Sequence, residues 1–287
     1  MNSTRWVAAG LIAVSLIAGT FSDTVRKNPT LMLGGYRVLS ADFHVHSFPL
    51  SWATLAPWDT VLEAQRHRLD AIAITGHNHV WVAKVGSWFS YLIGGPTVLV
   101  GEEIVAPTYH LLAIGIDHTI AWRQPAAAAI DEIHRQGGVA IAAHPLFEYW
   151  AAFDATAMSK LDGAEVLHPL AYVRFPAYVQ FQEFYARGRL TAIGDSDYHG
   201  LGPLGMCRTY VFARDNSPSA IVDALRAGHT VVYDRNGRSY GDPELIHLAS
   251  QDPHFNPNQF DEPPPGFLVM LSRVTGVAGL LFLILFA

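Results

Sequence analysis

The chain has 287 residues, half of them hydrophobic, which is enough for one large domain with its own core. Its 19 basic and 25 acidic side chains give a formal net charge of −6, so we do not expect a general nucleic-acid binder. Cys207 is the single cysteine, which excludes an internal disulfide and a metal site built from a thiolate cluster. A metal site would have to use histidine and carboxylate ligands.

The N-terminal region is apolar. Residues 6–21 follow Arg5 and carry no charge, and their number lies between that of a signal-peptide core and that of a short membrane span. We interpret residues 1–29 as a signal peptide or an N-terminal membrane anchor. An export signal is the preferred interpretation, and it would place the central domain outside the cytoplasmic membrane.

Residues 30–250 have the pattern of one α/β domain. The predicted strands are 38–43, 71–75, 97–103, 110–116, 138–144, 163–168, 189–195 and 209–213. A helix is predicted over 58–70 with Asp59 as its N-cap, and two later helices begin close to a proline. Continuous apolar strands that alternate with helices predict a parallel sheet covered by helices. Seven or eight such units favour a barrel over an open sheet.

The C-terminal region is apolar as well. Residues 251–266 are rich in Pro, Asn and Asp and are predicted to form a linker. Residues 267–287 would span about one bilayer core as a helix, so we predict a transmembrane segment in which Arg273 faces protein or reaches the interface. For both apolar ends, the alternative is a helix buried in a protein core.

Imidazole and carboxylate side chains stand at the ends of almost every predicted strand. His44 and His46 flank one valine, and residues i and i+2 of an extended segment point the same way. The other candidates at strand ends are His77, Glu102, Glu103, His110, His144, Glu165, His168, Asp195, Asp197 and His199. A lone histidine is more often structural than a ligand. In a barrel, however, the carboxyl ends of the strands lie at one rim, and such a concentration of histidines and carboxylates at that rim is hard to obtain by chance. It predicts a site for Zn, Mn or Fe.

A set of segments in this order resembles the PHP (polymerase and histidinol phosphatase) family. The segments are DFHVHS, AIAITGHN, LVGEEI, HLLAIGI, GGVAIAAHP, GAEVLH and IGDSDYHG. A later segment, PSAIVDALRAGHTVVYD, is similar to the stand-alone PHP phosphoesterases and to the CehA/McbA-like metallohydrolases. The resemblance implies a distorted (β/α)7 TIM-like barrel, the PHP fold, with two or three divalent metal ions at the carboxyl ends of the strands.

Carried over position by position, the resemblance also implies a set of metal ligands. The first metal would be held by His44, His46, Glu103 and Asp197. Glu103 would bridge it to a second metal, which would be held by His110 and His144. These two ions, as Zn, Mn or Fe, are the expected cofactors.

A third metal would use His77 and His199 with one ligand shortly after the HxH pair. The chain departs from the family here, because residues 47–57 contain no His, Asp or Glu. In addition, Gly76 stands where the family has an aspartate. The third ion is therefore left open, with His79 as a substitute ligand or with His77 and His199 acting without a metal.

The resemblance implies hydrolysis of a phosphate ester of a small molecule, with a metal-bound hydroxide as the nucleophile. His199 or His77 could protonate the leaving group, and Arg208 and Arg174 are candidate phosphate contacts. The same site could instead hydrolyse an amide, carbamate or carboxyl ester. A third hypothesis is a non-catalytic metal-binding module that is tethered to a membrane.

Overall fold

The computed structural model describes residues 3–22, 29–257 and 264–286. The strands are β1 Leu31–Leu33, β2 Tyr36–Val45, β3 Ala71–His77, β4 Thr97–Ala106, β5 Tyr109–Ile114, β6 Val139–Ala142, β7 Gly163–Leu167, β8 Thr191–Gly194, β9 Thr209–Ala213, β10 Thr230–Tyr233 and β11 Ser239–Gly241. The helices are α1 Ser3–Ser22, α2 Pro57–Arg66, α3 Trp81–Ile93, α4 Ala126–Arg135, α5 Phe147–Trp150, α6 Ala155–Met158, α7 Leu170–Val173, α8 Phe175–Tyr185, α9 Pro218–Arg226, α10 Pro243–Ser250 and α11 Phe267–Phe286.

The strands form one mixed sheet that curls into an almost closed barrel. The strand order is β11-β10-β9-β2-β3-β4-β5-β6-β7-β8, and β1 pairs with β2. Side chains bridge the gap between β8 and the other end of the sheet: Thr209 Oγ1 donates to Gly194 O at 2.9 Å, and Thr230 Oγ1 donates to Ala192 O at 2.8 Å. The predicted α/β barrel is confirmed, and β1, β10 and β11 are additional to the predicted strands.

The prediction of a parallel sheet is wrong for part of the barrel. Pairs β2–β3, β3–β4, β6–β7 and β7–β8 are parallel, whereas β5 is antiparallel to both of its neighbours and β9 is antiparallel to β2. Only Pro107 and Thr108 separate β4 from β5, and a parallel crossover needs a dozen or more residues. This hairpin places the start of β5, with His110, at the rim where β4 ends.

The inside of the barrel is an apolar layer below a polar one. Leu99 and Leu112 are fully buried in a cluster that also includes Leu225 of α9, so α9 seals one end of the barrel. Side chains two or four residues apart on a strand share a face. Glu103 therefore continues the row of Leu99, and His110 continues the row of Leu112. The polar residues of the strand ends form the layer above this core.

The two apolar terminal helices, α1 and α11, pack against each other and against α2. Glycines allow these helices to approach each other closely. A Cβ added to Gly279 of α11 would lie 2.7 Å from Ile12 Cγ1 of α1, and one added to Gly19 of α1 would lie 2.7 Å from Leu62 Cδ1 of α2. Residues 4–22 and 267–286 are long and apolar enough to cross a membrane, and only 22% of an apolar 18-residue stretch of each is buried. This exposure argues against the alternative of helices buried in a protein core.

Hydrogen bonds join these helices to α2. Trp58 Nε1 donates to Ser15 Oγ at 2.7 Å, and Ser272 Oγ donates to Asp59 Oδ1 at 2.5 Å. The prediction of Asp59 as an N-cap is wrong, because the N-cap of α2 is Ala56 and Asp59 faces the terminal helices instead. Part of the predicted linker, residues 258–263, lies outside the described residues.

The Asp59 carboxyl supplies a first testable prediction. Burial raises its pKa from 3.8 to about 7, so between these values the unfolded chain loses a proton that the folded chain keeps. Stability should therefore fall as pH rises through this window, by about 3 kcal/mol between pH 5 and 8. We expect the pH profile of Asp59→Asn to be shallower by this amount in thermal unfolding of the full chain in detergent, while the contribution of Glu102, whose pKa burial also raises to about 7, remains. Parallel pH profiles for the two proteins would contradict this assignment.

Candidate metal centre

Glu103 lies at the centre of the polar layer, with five imidazoles around its carboxylate. Its Oε2 is 3.3 Å from His44 Nε2, 3.5 Å from His46 Nε2 and 3.2 Å from His77 Nε2. Its Oε1 is 2.8 Å from His110 Nδ1 and 3.2 Å from His144 Nε2. Each carboxylate oxygen thus faces its own group of histidines, as the ligand of two neighbouring ions would.

Asp197 is the second carboxylate of the cluster. Its Oδ1 lies 3.0 Å from His46 Nε2, 3.3 Å from His44 Nε2 and 3.5 Å from His199 Nδ1. Its Oδ2 lies 3.4 Å from His168 Nε2, a residue at a strand end to which the sequence assigned no ligand role. Asp197 therefore joins the loop after β8 to the HxH pair.

All eight predicted metal ligands belong to this one cluster. Four sets of three side chains bring potential ligand atoms within 4.8 Å of one another: His44, His46 and Asp197; His44, Glu103 and His144; His46, His77 and His199; and His44, Glu165 and His168. Among the described residues, His79 is in none of these sets. Its ring stacks on Trp81 at 5.8 Å, and a Cβ at Gly76 would lie 2.6 Å from His79 Cε1. His79 thus packs over Gly76.

The buried donor atoms fit a divalent metal. His44 and His46 are fully buried. Within the described part of the chain, His44 Nε2 and both ring nitrogens of His46 make no hydrogen bond of normal geometry. A buried polar atom without a partner costs free energy, and coordination of a cation would satisfy these nitrogens. Imidazole and carboxylate donors together suit Zn, Mn or Fe.

The electrostatics of the cluster also favour coordination. Burial lowers the pKa of His46 to about 4, which keeps the ring neutral, as a ligand must be. Burial of Glu103 opposes its ionisation, but the charge of His44 and hydrogen bonds from His110 and His144 outweigh this effect. They hold the pKa of Glu103 well below its usual value. The cluster therefore combines the neutral imidazole of His46 with carboxylate anions, whose charges outweigh burial and raise the pKa of His44 well above its usual value. A bound cation would have to displace the proton of His44.

Two candidate ligands have backbone conformations that are uncommon for residues other than glycine. His144 has φ 26° and Asp197 has φ 47°. Such conformations cost free energy and often occur at functional sites. At these two positions they direct the side chains into the cluster.

Glu165 holds two members of the cluster in place. Its Oε1 is 2.7 Å from His44 Nδ1, and its Oε2 accepts a hydrogen bond from His144 N at 2.6 Å. His44 is therefore oriented with Nε2 towards Glu103 and Asp197. In the sequence, the signal for Glu165 is its position with His168 in the predicted strand 163–168, which does not by itself indicate a role. A carboxylate behind a histidine ligand fixes the ring and raises its basicity.

The two predicted phosphate contacts lie in different places. Arg208 is buried, and its guanidinium donates to Gly205 O at 3.1 Å and to Ser40 Oγ at 3.2 Å. Ser40 lies four residues before His44 on β2, towards the other end of the barrel, so this placement speaks against a substrate contact at the cluster. Arg174 is exposed between α7 and α8, on the rim side of β7.

The fold of the chain is similar to that of a solved protein structure. No family model and no curated protein sequence matches the chain. A two-domain protein from Bacteroides vulgatus, which contains a predicted PHP-like metal-dependent phosphoesterase, superposes with a TM-score of 0.62 at 22% identity, over 79% of this chain and 74% of that one. The predicted PHP fold is thereby supported.

Two further structures are less similar, and they are described as a metal-dependent phosphoesterase and an amidohydrolase. A putative metal-dependent phosphoesterase from Bifidobacterium adolescentis has a TM-score of 0.46 at 19% identity, over 69% of this chain and 98% of that one. An amidohydrolase from Chromobacterium violaceum has a TM-score of 0.42 at 17% identity, over 57% and 89%. The CehA/McbA-like branch stays a prediction.

Proposed function

We propose that the chain is a metal-dependent hydrolase of phosphate esters. The position of Glu103 carries the proposal, because its two oxygens face separate groups of histidines in a buried site. His44, His46, Glu103 and Asp197 would hold one ion, and Glu103, His110 and His144 a second. Bound divalent ions would lower the pKa of a water molecule and offset charge on the phosphate oxygens.

The protein's own residues would handle the proton of the leaving group. The side chains of His77 and His199 are 26% and 31% exposed, whereas those of His44 and His46 are completely buried. His77 and His199 therefore lie at the mouth of the cluster, where a substrate enters. Either ring could donate a proton to the departing alkoxide. Arg174, exposed on the same rim, remains the candidate phosphate contact.

Metal content is the direct test of this proposal. The full chain should be purified in detergent without a chelating tag, and its metals measured per chain. We expect about two ions of Zn, Mn or Fe, one for each of the two proposed ligand sets. Three ions would mean that the His46, His77 and His199 set also binds one. One ion or none after metal addition would contradict the proposed binuclear site.

A substrate panel separates phosphorus from carbonyl chemistry. Phosphomonoesters, phosphodiesters, amides, carbamates and aryl carboxylic esters would be assayed with the metal-loaded chain. We expect turnover of phosphate esters. Turnover of carbonyl substrates alone would replace the phosphoesterase proposal by the amide or ester alternative. Full metal content without turnover of any class would favour the binding module.

We also propose that α1 and α11 attach the catalytic domain to a membrane, with the domain outside the cytoplasm. Their length, apolar composition and low burial support this proposal. The contacts of both helices with α2 mean that the domain would be held beside the membrane directly. Recovery of the full chain in the membrane fraction after a high-salt and carbonate wash is the expected result, and release by that wash would contradict it.

A further inference from the structure

Large apolar side chains are exposed around the mouth of the metal centre. Between residues 29 and 257, eleven large hydrophobic side chains are exposed, and seven of them lie in segments that follow the rim ends of strands. These seven, which we call the collar, are Leu50, Trp52, Trp81, Phe147, Val173, Phe175 and Leu201. Single exposed apolar residues need no explanation, but a concentration around one opening indicates a binding surface.

Two collar residues stand next to the metal centre. Trp52 is 90% exposed and has φ 55°, and the loop around it is anchored on both sides. His77 N donates to Ser51 Oγ at 2.9 Å, and Thr54 N donates to His199 O at 3.0 Å. Leu201 is 81% exposed and follows His199 by two residues. Apolar surface therefore begins within a few residues of the proposed proton donors.

The terminal helices extend from the same end of the barrel. Helix α2 leads from the rim end of β2 to the start of β3, so its N-terminus is at the rim. Along α11, contacts move from Glu63 at Arg273 to Ala56 at Gly276, just before the first residue of α2. The last ten residues of α11 therefore continue past the rim, by about 15 Å at the rise of an α-helix. These ten residues would reach about half of the ~30 Å apolar core of a bilayer, so a bilayer that held them would lie next to the collar.

We propose that the substrate is a phosphate ester with a long apolar chain, taken from the lipid bilayer, and that its chain lies on the collar while its phosphate reaches the metal centre. This inference rests on the proposed phosphoesterase function and adds the substrate class. In the hydrolysis, the oxygen of a water molecule forms a bond to phosphorus and the bond from phosphorus to the ester oxygen breaks. The leaving alkoxide takes up a proton and stays in the bilayer as the lipid alcohol.

Matched ester pairs test the inference on the full, metal-loaded chain in dodecyl maltoside micelles. One pair is glycerol 3-phosphate and dioleoyl phosphatidic acid, and the other is glycerophosphoglycerol and dioleoyl phosphatidylglycerol. We expect the acylated member of one pair to be hydrolysed with a kcat/KM at least tenfold higher. The double variant Trp52→Ser/Leu201→Ser should lower that kcat/KM about tenfold or more, while the rate on the unacylated member changes less than twofold.

Met32→Ser is the matched control, because Met32 is 54% exposed but lies on β1, away from the collar. This variant should behave as the wild type on both members. Equal kcat/KM for acylated and unacylated esters, or an unchanged preference in the double variant, would overturn the inference and leave the phosphoesterase proposal standing. Hydrolysis of neither member of either pair with Zn, Mn or Fe would overturn both.

Discussion

The Glu103→Gln variant should lose at least a thousandfold in kcat/KM and bind no more than one metal ion per chain. Glutamine keeps the size of the side chain but removes its negative charge. Five imidazole nitrogens lie within 3.5 Å of the two Glu103 oxygens, so this carboxylate faces the ligands of both proposed ions. A neutral amide binds cations poorly and could not serve both ions with anionic oxygen. Metal analysis and steady-state kinetics on the preferred ester measure the two effects.

The neighbouring residue provides a matched control. Glu102 is also fully buried, but it points away from the cluster and its Oε1 accepts a hydrogen bond from Ile120 N at 2.6 Å. Burial raises the pKa of Glu102 to about 7, so an isosteric neutral side chain is a small change at neutral pH. We expect Glu102→Gln to keep its metal and to retain kcat/KM within about threefold. Normal metal content in Glu103→Gln would show that Glu103 is not a ligand.

The rim of the barrel was predictable because its signal is local. Each ligand candidate directly follows or begins an apolar run, and the carboxyl ends of neighbouring parallel strands meet at one edge. His44, Glu103 and Asp197 could therefore be placed together from three separate segments. Their mutual distances could not, because these depend on the register of the strands, including the irregularity between Asp42 and Val45.

The main error of the sequence prediction was the direction of the strands. The short gap between two of the predicted strands already indicates that they are antiparallel. The predicted strands 97–103 and 110–116 are separated by six residues, too few for a helical crossover. An antiparallel hairpin follows from this spacing. It explains why His110 reaches the cluster from the beginning of its strand, whereas the ligand candidates of the parallel strands lie at strand ends. The environment of Arg208 was not predictable either: it precedes β9, whose first residue pairs with Ala41, but its guanidinium donates to Gly205 O and Ser40 Oγ.

The sequence could not predict which residues contact the buried polar side chains. Glu165 is 121 residues from His44 along the chain, and only the closed barrel brings the two within 2.7 Å. The contact between Asp59 and Ser272 joins residues 213 apart. In both cases a side chain that fits a local role, on a strand end or at a helix start, is used for a long-range contact instead. Local propensity gives no information about such partners.

The Asp197→Asn variant should lose at least a hundredfold in kcat/KM and most of the metal held by His44 and His46. Asparagine tolerates the left-handed backbone at this position, so the loop after β8 should keep its conformation. What changes is the charge of the oxygen that lies 3.0 Å from His46 Nε2 and 3.3 Å from His44 Nε2. The charges and hydrogen bonds of nearby histidines outweigh burial and hold the pKa of Asp197 well below its usual value, so the unfolding midpoint of the metal-free chain should fall as well. The losses of metal affinity and turnover should exceed what this change in stability accounts for.

Asp162→Asn is the appropriate control for this charge removal. Asp162 is likewise paired with a histidine, with His134 Nε2 at 2.7 Å, and it accepts a hydrogen bond from Ala140 N, but neither partner belongs to the cluster. We expect this variant to keep metal and turnover and to lose about 1 kcal/mol of stability. If both variants lost activity in proportion to stability, Asp197 would have only a structural role. If Asp197→Asn lost metal while turnover persisted, the bound ions would serve to stiffen the fold, as the non-catalytic hypothesis requires, and the activity would have to come from another site.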